Sequence, residues 1–231
     1  MELTVDDLTF EVRYSTRRKT LEIIVDREGD LVLAAPKNTD DRLLADFVRE
    51  KKIWIYQKLV QKGELLKPQP RKEYVNGEGF LYLGRNHRLK LVENQQTPLK
   101  LIDGRFCLRK DFQGEARTHF INWYSTKAQI YLNKKTQALA TRMDVVPDGV
   151  KIQDLGYRWG SCGRGDRLYF HWKIILLPRE IVDYVVVHEL THLKEPHHSD
   201  EFWKQVGQIM PDYERRKGWL AKHGIEVEGI D

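Results

Sequence analysis

The feature that most constrains this chain is His188-Glu189-Leu190-Thr191-His192, because it falls in a segment that reads as a helix on independent grounds. Pro178 suits a first helical turn, where its missing N–H costs no hydrogen bond, and the helix expected from it runs through Leu193. Residues four apart on a helix share a face, so both imidazoles can meet one metal ion while Glu189 stands beside it. The rest of the chain has to be built around one metal-facing helix.

Imidazole nitrogens are ordinary zinc ligands, and a catalytic Zn2+ keeps one position for water, whose pKa it lowers toward neutrality. Glu189 is then the general base that takes the proton of the zinc-bound water as it attacks a carbonyl or phosphoryl centre. His197 and His198 follow His192 by five and six residues, where a turn after the helix can return a third ligand to the metal. His198 is the expected partner of His188 and His192, since it adjoins Ser199, a helix cap, and is held between two helices. His197 is its competitor, and Glu195 and Glu201 are weaker candidates. His87, His119, His171 and His223 lack ligand spacing to this group and default to surface or core roles. Cys162 is expected as a buried thiol, because a fourth protein ligand would close the site.

With 231 residues, 41% of them hydrophobic and six of them tryptophan, the chain can bury a sizeable core. No apolar stretch approaches the roughly 20 residues of a membrane span. The amino terminus, Met1 to Asp7, carries acids where a signal peptide carries bases, which points to the cytoplasm, where Cys107 and Cys162 stay free thiols. Net charge is +5. The basic clusters Arg17-Arg18-Lys19, Arg85 to Lys90 and Arg215-Arg216-Lys217 are dispersed, which favours solvated surface over a nucleic-acid face and leaves an anionic substrate open.

Short β-rich runs at 10–14, 21–25 and 31–33, the last two separated by Glu28-Gly29-Asp30, read as a small antiparallel meander. Thr39, Asp40 and Asp41 can cap a helix with Leu43, Leu44, Phe47, Ile53, Trp54 and Leu59 at apolar positions, ending near Gly63. Lys67-Pro68-Gln69-Pro70 reads as a linker, followed by strands at 80–83, 87–92 and 99–108. From Glu115 to Met143 there is no Gly or Pro, which predicts a long helix. Val150 to Leu155 and Leu168 to Ile174 read as a hairpin around the glycine-rich Gly160 to Gly165, and two more helices are expected at 201–210 and 213–223. The fold class is therefore α+β. Residues 1–112 form a β-rich portion with one helix at about 40–62, and residues 113–231 a mainly helical catalytic portion with a small antiparallel sheet.

Arg158-Trp159-Gly160-Ser161-Cys162, the run Asp183 to Leu193, His198-Ser199 and Phe202-Trp203 resemble the signature of the YgjP-like (WLM-type) zinc metallopeptidase-domain family. The resemblance covers most of the chain, less specifically through Arg17 to Val32, the helix with Trp54, and Leu81 to Arg85. It implies a minimal zincin with an H-E-x-x-H-x5-H pattern, zinc on His188, His192 and His198, and Glu189 as catalytic acid/base. His171 and His197 stand where the family usually has asparagine, which makes His171 an extra polar group expected near the cleft. Arg158 and Ser161 are candidates for binding substrate or an oxyanion, against the alternative of a structural turn with Trp159 in the core.

These features support a zinc-dependent hydrolase with peptides as the substrate the resemblance suggests. The alternative is phosphoanhydride hydrolysis of nucleoside triphosphates, which Arg158 and Arg164 in one loop would suit although no P-loop is present. A third reading, a nucleic-acid-associated module with structural zinc, is disfavoured because a structural site takes four protein ligands and leaves Glu189 without a role.

Overall fold

Leu31–Pro36 is apolar at consecutive positions, and a strand of that kind belongs where both its faces are covered. In the computed structural model, which describes residues 2–25, 30–65, 72–156, 158–224 and 227, this strand is central. With β1 (Glu2–Val5), β2 (Leu8–Ser15), β3 (Glu22–Val25) and β4 (Leu31–Pro36), the sheet order is β1-β2-β4-β3. β2 and β4 run parallel, so the expected antiparallel meander is corrected to a mixed sheet. The reason is burial: β4 is buried at five of its six positions, whereas β3 buries only Ile23 and goes to the edge. Helix α1 (Asp41–Leu65) buries Leu44, Val48 and Ile55 in this unit's core. Ile53, 76% exposed, Leu43 and Trp54 face outward, contrary to the apolar face expected of them. Gly29 and the 67–70 stretch read as a linker lie outside the described residues.

The chain divides into two units, Met1–Gln69 and Pro70–Asp231. The boundary expected at 112/113 falls inside the second unit because the sheet before it shares a core with the helix after it. That sheet comprises β5 (Gly79–Tyr82), β6 (Arg85–Val92), β7 (Leu99–Ile102) and β8 (Arg105–Arg109), ordered β5-β6-β8-β7, with β6 and β8 parallel. The single strand expected over 99–108 is a hairpin instead. Asp103 and Gly104 both take positive φ, as a tight two-residue turn requires. Phe80, Leu89, Leu99, Phe106 and Leu108 pack against Phe120 and Tyr124 of α2 (Ala116–Met143), and Phe80 stacks on Phe120 at 4.2 Å. Helix α2 matches its expected span and ends on Asp144 in the left-handed conformation.

A third sheet of β9 (Gly149–Gln153), β10 (Gly160–Cys162) and β11 (Arg167–His171) has the order β10-β11-β9. β9 and β11 are parallel, and β10 pairs antiparallel with β11. The expected hairpin, and with it a purely antiparallel sheet, is thus corrected: Gly160-Ser161-Cys162 is itself the edge strand. A 3-10 turn (Trp172–Leu176) leads into α3 (Arg179–Thr191), which buries Ile181, Val182, Val185, Val186, Val187 and Leu190. Helices α4 (Asp200–Ile209) and α5 (Tyr213–His223) complete the chain much as expected. No described helix is long and apolar enough to cross a membrane.

Candidate metal centre and its cleft

His188 lies on α3, one turn before its end, and His192 is the residue that closes it. The chain then turns through Leu193 to His198 and re-enters a helix at Ser199, whose side chain accepts the N–H of Phe202. That cap returns His198 to the other two. One nitrogen from each of His188, His192 and His198 lies within 4.8 Å of the others, and the Nε2 atoms of His188 and His198 are 3.0 Å apart. His197 is exposed and outside this group. Glu195 offers its backbone carbonyl to His192 Nδ1 at 3.0 Å, and Glu201 pairs with Lys204.

The donor chemistry fits a metal ion. Burial and the neighbouring His192, His198 and Lys217 push the His188 imidazolium down to about 3, and burial lowers His198 too. Both rings are neutral near pH 7, the form in which imidazole binds a metal. The Glu195 carbonyl accepts the N–H of His192 Nδ1, the hydrogen bond that in a metal-binding imidazole leaves Nε2 as the ligand atom. His188 Nδ1 is buried with no hydrogen-bond partner among the described residues. Its ring is fixed by packing instead, against Tyr184, Phe202 and Trp203.

Glu189, the residue after His188 on α3, packs against β10 and is only 6% exposed. Burial raises its carboxyl to about 8, opposed by a hydrogen bond from the Cys162 N–H and by the charge of Arg158. The approach is close enough that a Cβ on Gly160 would stand 2.7 Å from Glu189 Cγ. His188, Glu189, His192 and His198 share a cleft of about 770 Å³ with Tyr184, Pro196, Leu220 and the whole run from Arg158 to Asp166. Arg158 and Ser161 are therefore both in its wall. Cys162 also lines it, outside the histidine group, with its thiol raised by burial and by Glu189 and Asp166.

Of the two expectations for His171, the core role holds and the place near the cleft is corrected. It does not line the cleft: its Nδ1 accepts the Lys173 N–H and its Nε2 lies 3.2 Å from Asp154, which makes it a buried structural cap. Two residues in the site had no role assigned from sequence. Tyr184 lies one turn before His188 on the same helix face, a spacing that could have flagged it; burial and the Glu189 charge push its phenol up to about 12. Trp203 stacks on His198 and on Tyr213, with Lys217 Nζ 3.9 Å from its ring centre. No local spacing reveals that stack.

A three-histidine group with a buried carboxyl beside the first of them on the helix is the donor set of a metal-dependent hydrolase. The family model of the YgjP-like metallopeptidase domain matches residues 19–223, and the chain belongs to that family. The crystal structure of the metallopeptidase zymogen of Pyrococcus abyssi abylysin is similar over 38% of this chain and 86% of that one, with 23% identity and a TM-score of 0.35. Comparison with curated proteins returns no match.

Proposed function

We propose that the chain is a zinc-dependent hydrolase of the metallopeptidase type with Glu189 as its general base. The observation that carries this reading is one buried carboxyl, pushed up to about 8, in the same cleft wall as three converging histidines, two of them held neutral by their surroundings. His188, His192 and His198 would hold the ion, and a nitrogen-only donor set suits zinc. When bound, zinc supplies Lewis acidity to the scissile carbonyl and acidifies water. Glu189 accepts the proton of the attacking water and hands it to the leaving amine, two transfers that a carboxyl titrating near neutrality can serve in turn. The Cys162 N–H holds the carboxyl in place between them.

Arg158 and Ser161, in the cleft wall, would steady the oxyanion, and the Tyr184 phenol, kept protonated, would be a further donor in the same wall. A peptide fits this cleft because β10 is the edge of its sheet. His171 N–H bonds the Trp159 carbonyl and Gly163 N–H bonds the Arg167 carbonyl. By alternation, the backbone groups of Gly160 and the carbonyl of Cys162 point away from β11, where an extended substrate can pair, while the Cys162 N–H is taken by Glu189. The second reading, a nucleoside triphosphate diphosphatase, is favoured by one observation, Arg158 and Arg164 in the same wall.

The test is turnover by zinc-loaded wild type and Glu189→Gln, each offered a casein-derived peptide pool and nucleoside triphosphates. Glu189-dependent peptide cleavage is the expected result. Glu189-dependent diphosphate release without peptide cleavage would transfer the site to the second reading, and turnover that survives in the variant would remove Glu189 from the mechanism.

A further inference from the structure

The 21 residues of β5, β6, β7 and β8 contain no aspartate or glutamate, yet they carry six lysines and arginines. Those six exceed the whole chain's net charge of +5, so the remainder of the molecule is close to neutral. The strand register places four of them on one face. Leu89, Leu91, Phe106, Leu108, Leu99 and Leu101 turn inward, which sends Arg88, Lys90, Lys100 and Arg105 outward. Arg88 stands directly opposite Arg105, and Lys90 and Lys100 flank Cys107 from either side.

Like charges directly opposite one another weaken a sheet, so this placement costs stability and gains nothing inside the fold. The other basic clusters are partly compensated by ion pairs: Arg18 pairs with Glu22, and Arg215 and Arg216 share Asp212. Arg109 is likewise held by Asp111. Among the described residues, Arg88, Lys90, Lys100 and Arg105 make no ion pair; of the nearest acids in sequence, Glu93 is held by Lys110 and Asp103 lies in the hairpin turn at the sheet's end.

We propose that this face docks the phosphodiester backbone of a nucleic acid. A regular polyanion, with one charge per ~3.4 Å of each strand's axis, complements cations spaced about 6.6 Å along a strand and about 4.8 Å across strands. The face presents Leu81, Ile102 and Cys107 but no aromatic ring, so it lacks both the stacking platform of a base reader and the aromatic anchors of a membrane-surface element. Binding is therefore electrostatic and independent of sequence. Dispersed in the sequence, the cations become one surface only when β6, β8 and β7 are laid side by side.

The experiment is fluorescence anisotropy of the full chain with labelled single-stranded RNA and duplex DNA of random sequence, from 50 to 200 mM salt. Four phosphate contacts give an affinity loss over that range of about 50-fold for a single strand and about 150-fold for a duplex. The variant Arg88→Gln/Lys90→Gln/Lys100→Gln/Arg105→Gln is expected to lose at least 10-fold in affinity at 50 mM and most of the salt slope, with an unchanged or higher Tm and unchanged hydrolase turnover. Absence of binding at 50 mM, or binding that the folded variant retains, overturns the proposal. So does a preference for phosphatidylserine vesicles over both nucleic acids at equal phosphate.

Discussion

Gly160→Ala puts a single methyl group where Glu189, the proposed general base, now rests. The added Cβ would lie 2.7 Å from both Cγ and Oε1 of Glu189 and 2.9 Å from Cδ, whereas carbon contacts ordinarily begin near 3.5 Å. The side chain must retreat by about 0.8 Å, away from β10 and from the Cys162 N–H that holds it. A displacement of ~1 Å in a catalytic group can cost about 10²-fold in rate, so kcat is expected to fall roughly 30- to 100-fold. No histidine atom is among the three nearest to the added Cβ, so zinc affinity by chelator competition should match wild type, as should Tm within about 2 °C. Gly114→Ala, which meets nothing within 4 Å, is the matched control. Full activity in Gly160→Ala, with the carboxyl displaced in its structure, would refute the argument that β10 sets the position of the base.

Glu189→Gln should retain zinc and lose about 10²–10⁴-fold in turnover, measured on whichever substrate wild type cleaves. The same variant exposes a pH effect in chelator-treated protein. A carboxyl at about 8 in the fold and 4.5 when unfolded keeps a proton that the unfolded chain releases, so wild-type stability falls as pH rises from 4.5 to 8. The bound is roughly 5 kcal/mol, and thermal melts should show wild type and Glu189→Gln diverging as pH rises through that window. Burial of neutral His188, held at about 3, acts oppositely below pH 6.5 in both proteins and cancels in the comparison. His198→Ala should lower zinc affinity by several orders of magnitude in a competition titration while leaving the far-UV circular dichroism of the metal-free protein unchanged. Gly218→Ala, in the exposed interior of α5 with no atom near the new Cβ, should raise stability by about 0.5–1 kcal/mol in urea melts.

What could be read from the sequence was what depends on neighbours along the chain. The four-residue spacing of His188 and His192, the Ser199 cap and the Gly- and Pro-free run into Met143 each specify helix geometry locally, and all three helices stand where expected. The pairings of strands did not follow, because alternation and turn residues say which segments are extended but not which lie adjacent. Hence β3 was placed between β2 and β4, and β9 was paired antiparallel with β11. The cost fell on the site. With Gly160-Ser161-Cys162 read as a loop, the contact between Gly160 and Glu189 was invisible, as was the aromatic stack that backs His198. His171 illustrates the opposite error: an unusual residue in a motif was expected beside the chemistry, whereas its ring satisfies the backbone of Lys173 and a nearby carboxylate.

The short segment from His192 to His198 has few degrees of freedom left. Its first histidine bonds the Glu195 carbonyl, Lys194 reaches the Met143 carbonyl at 2.7 Å, and Ser199 clamps the far end onto α4. A loop closed this way has already lost most of the entropy that ligand convergence would demand. Under the proposed function, ion capture would then ask little further ordering of this segment, and donor chemistry and supply would decide which ion it takes.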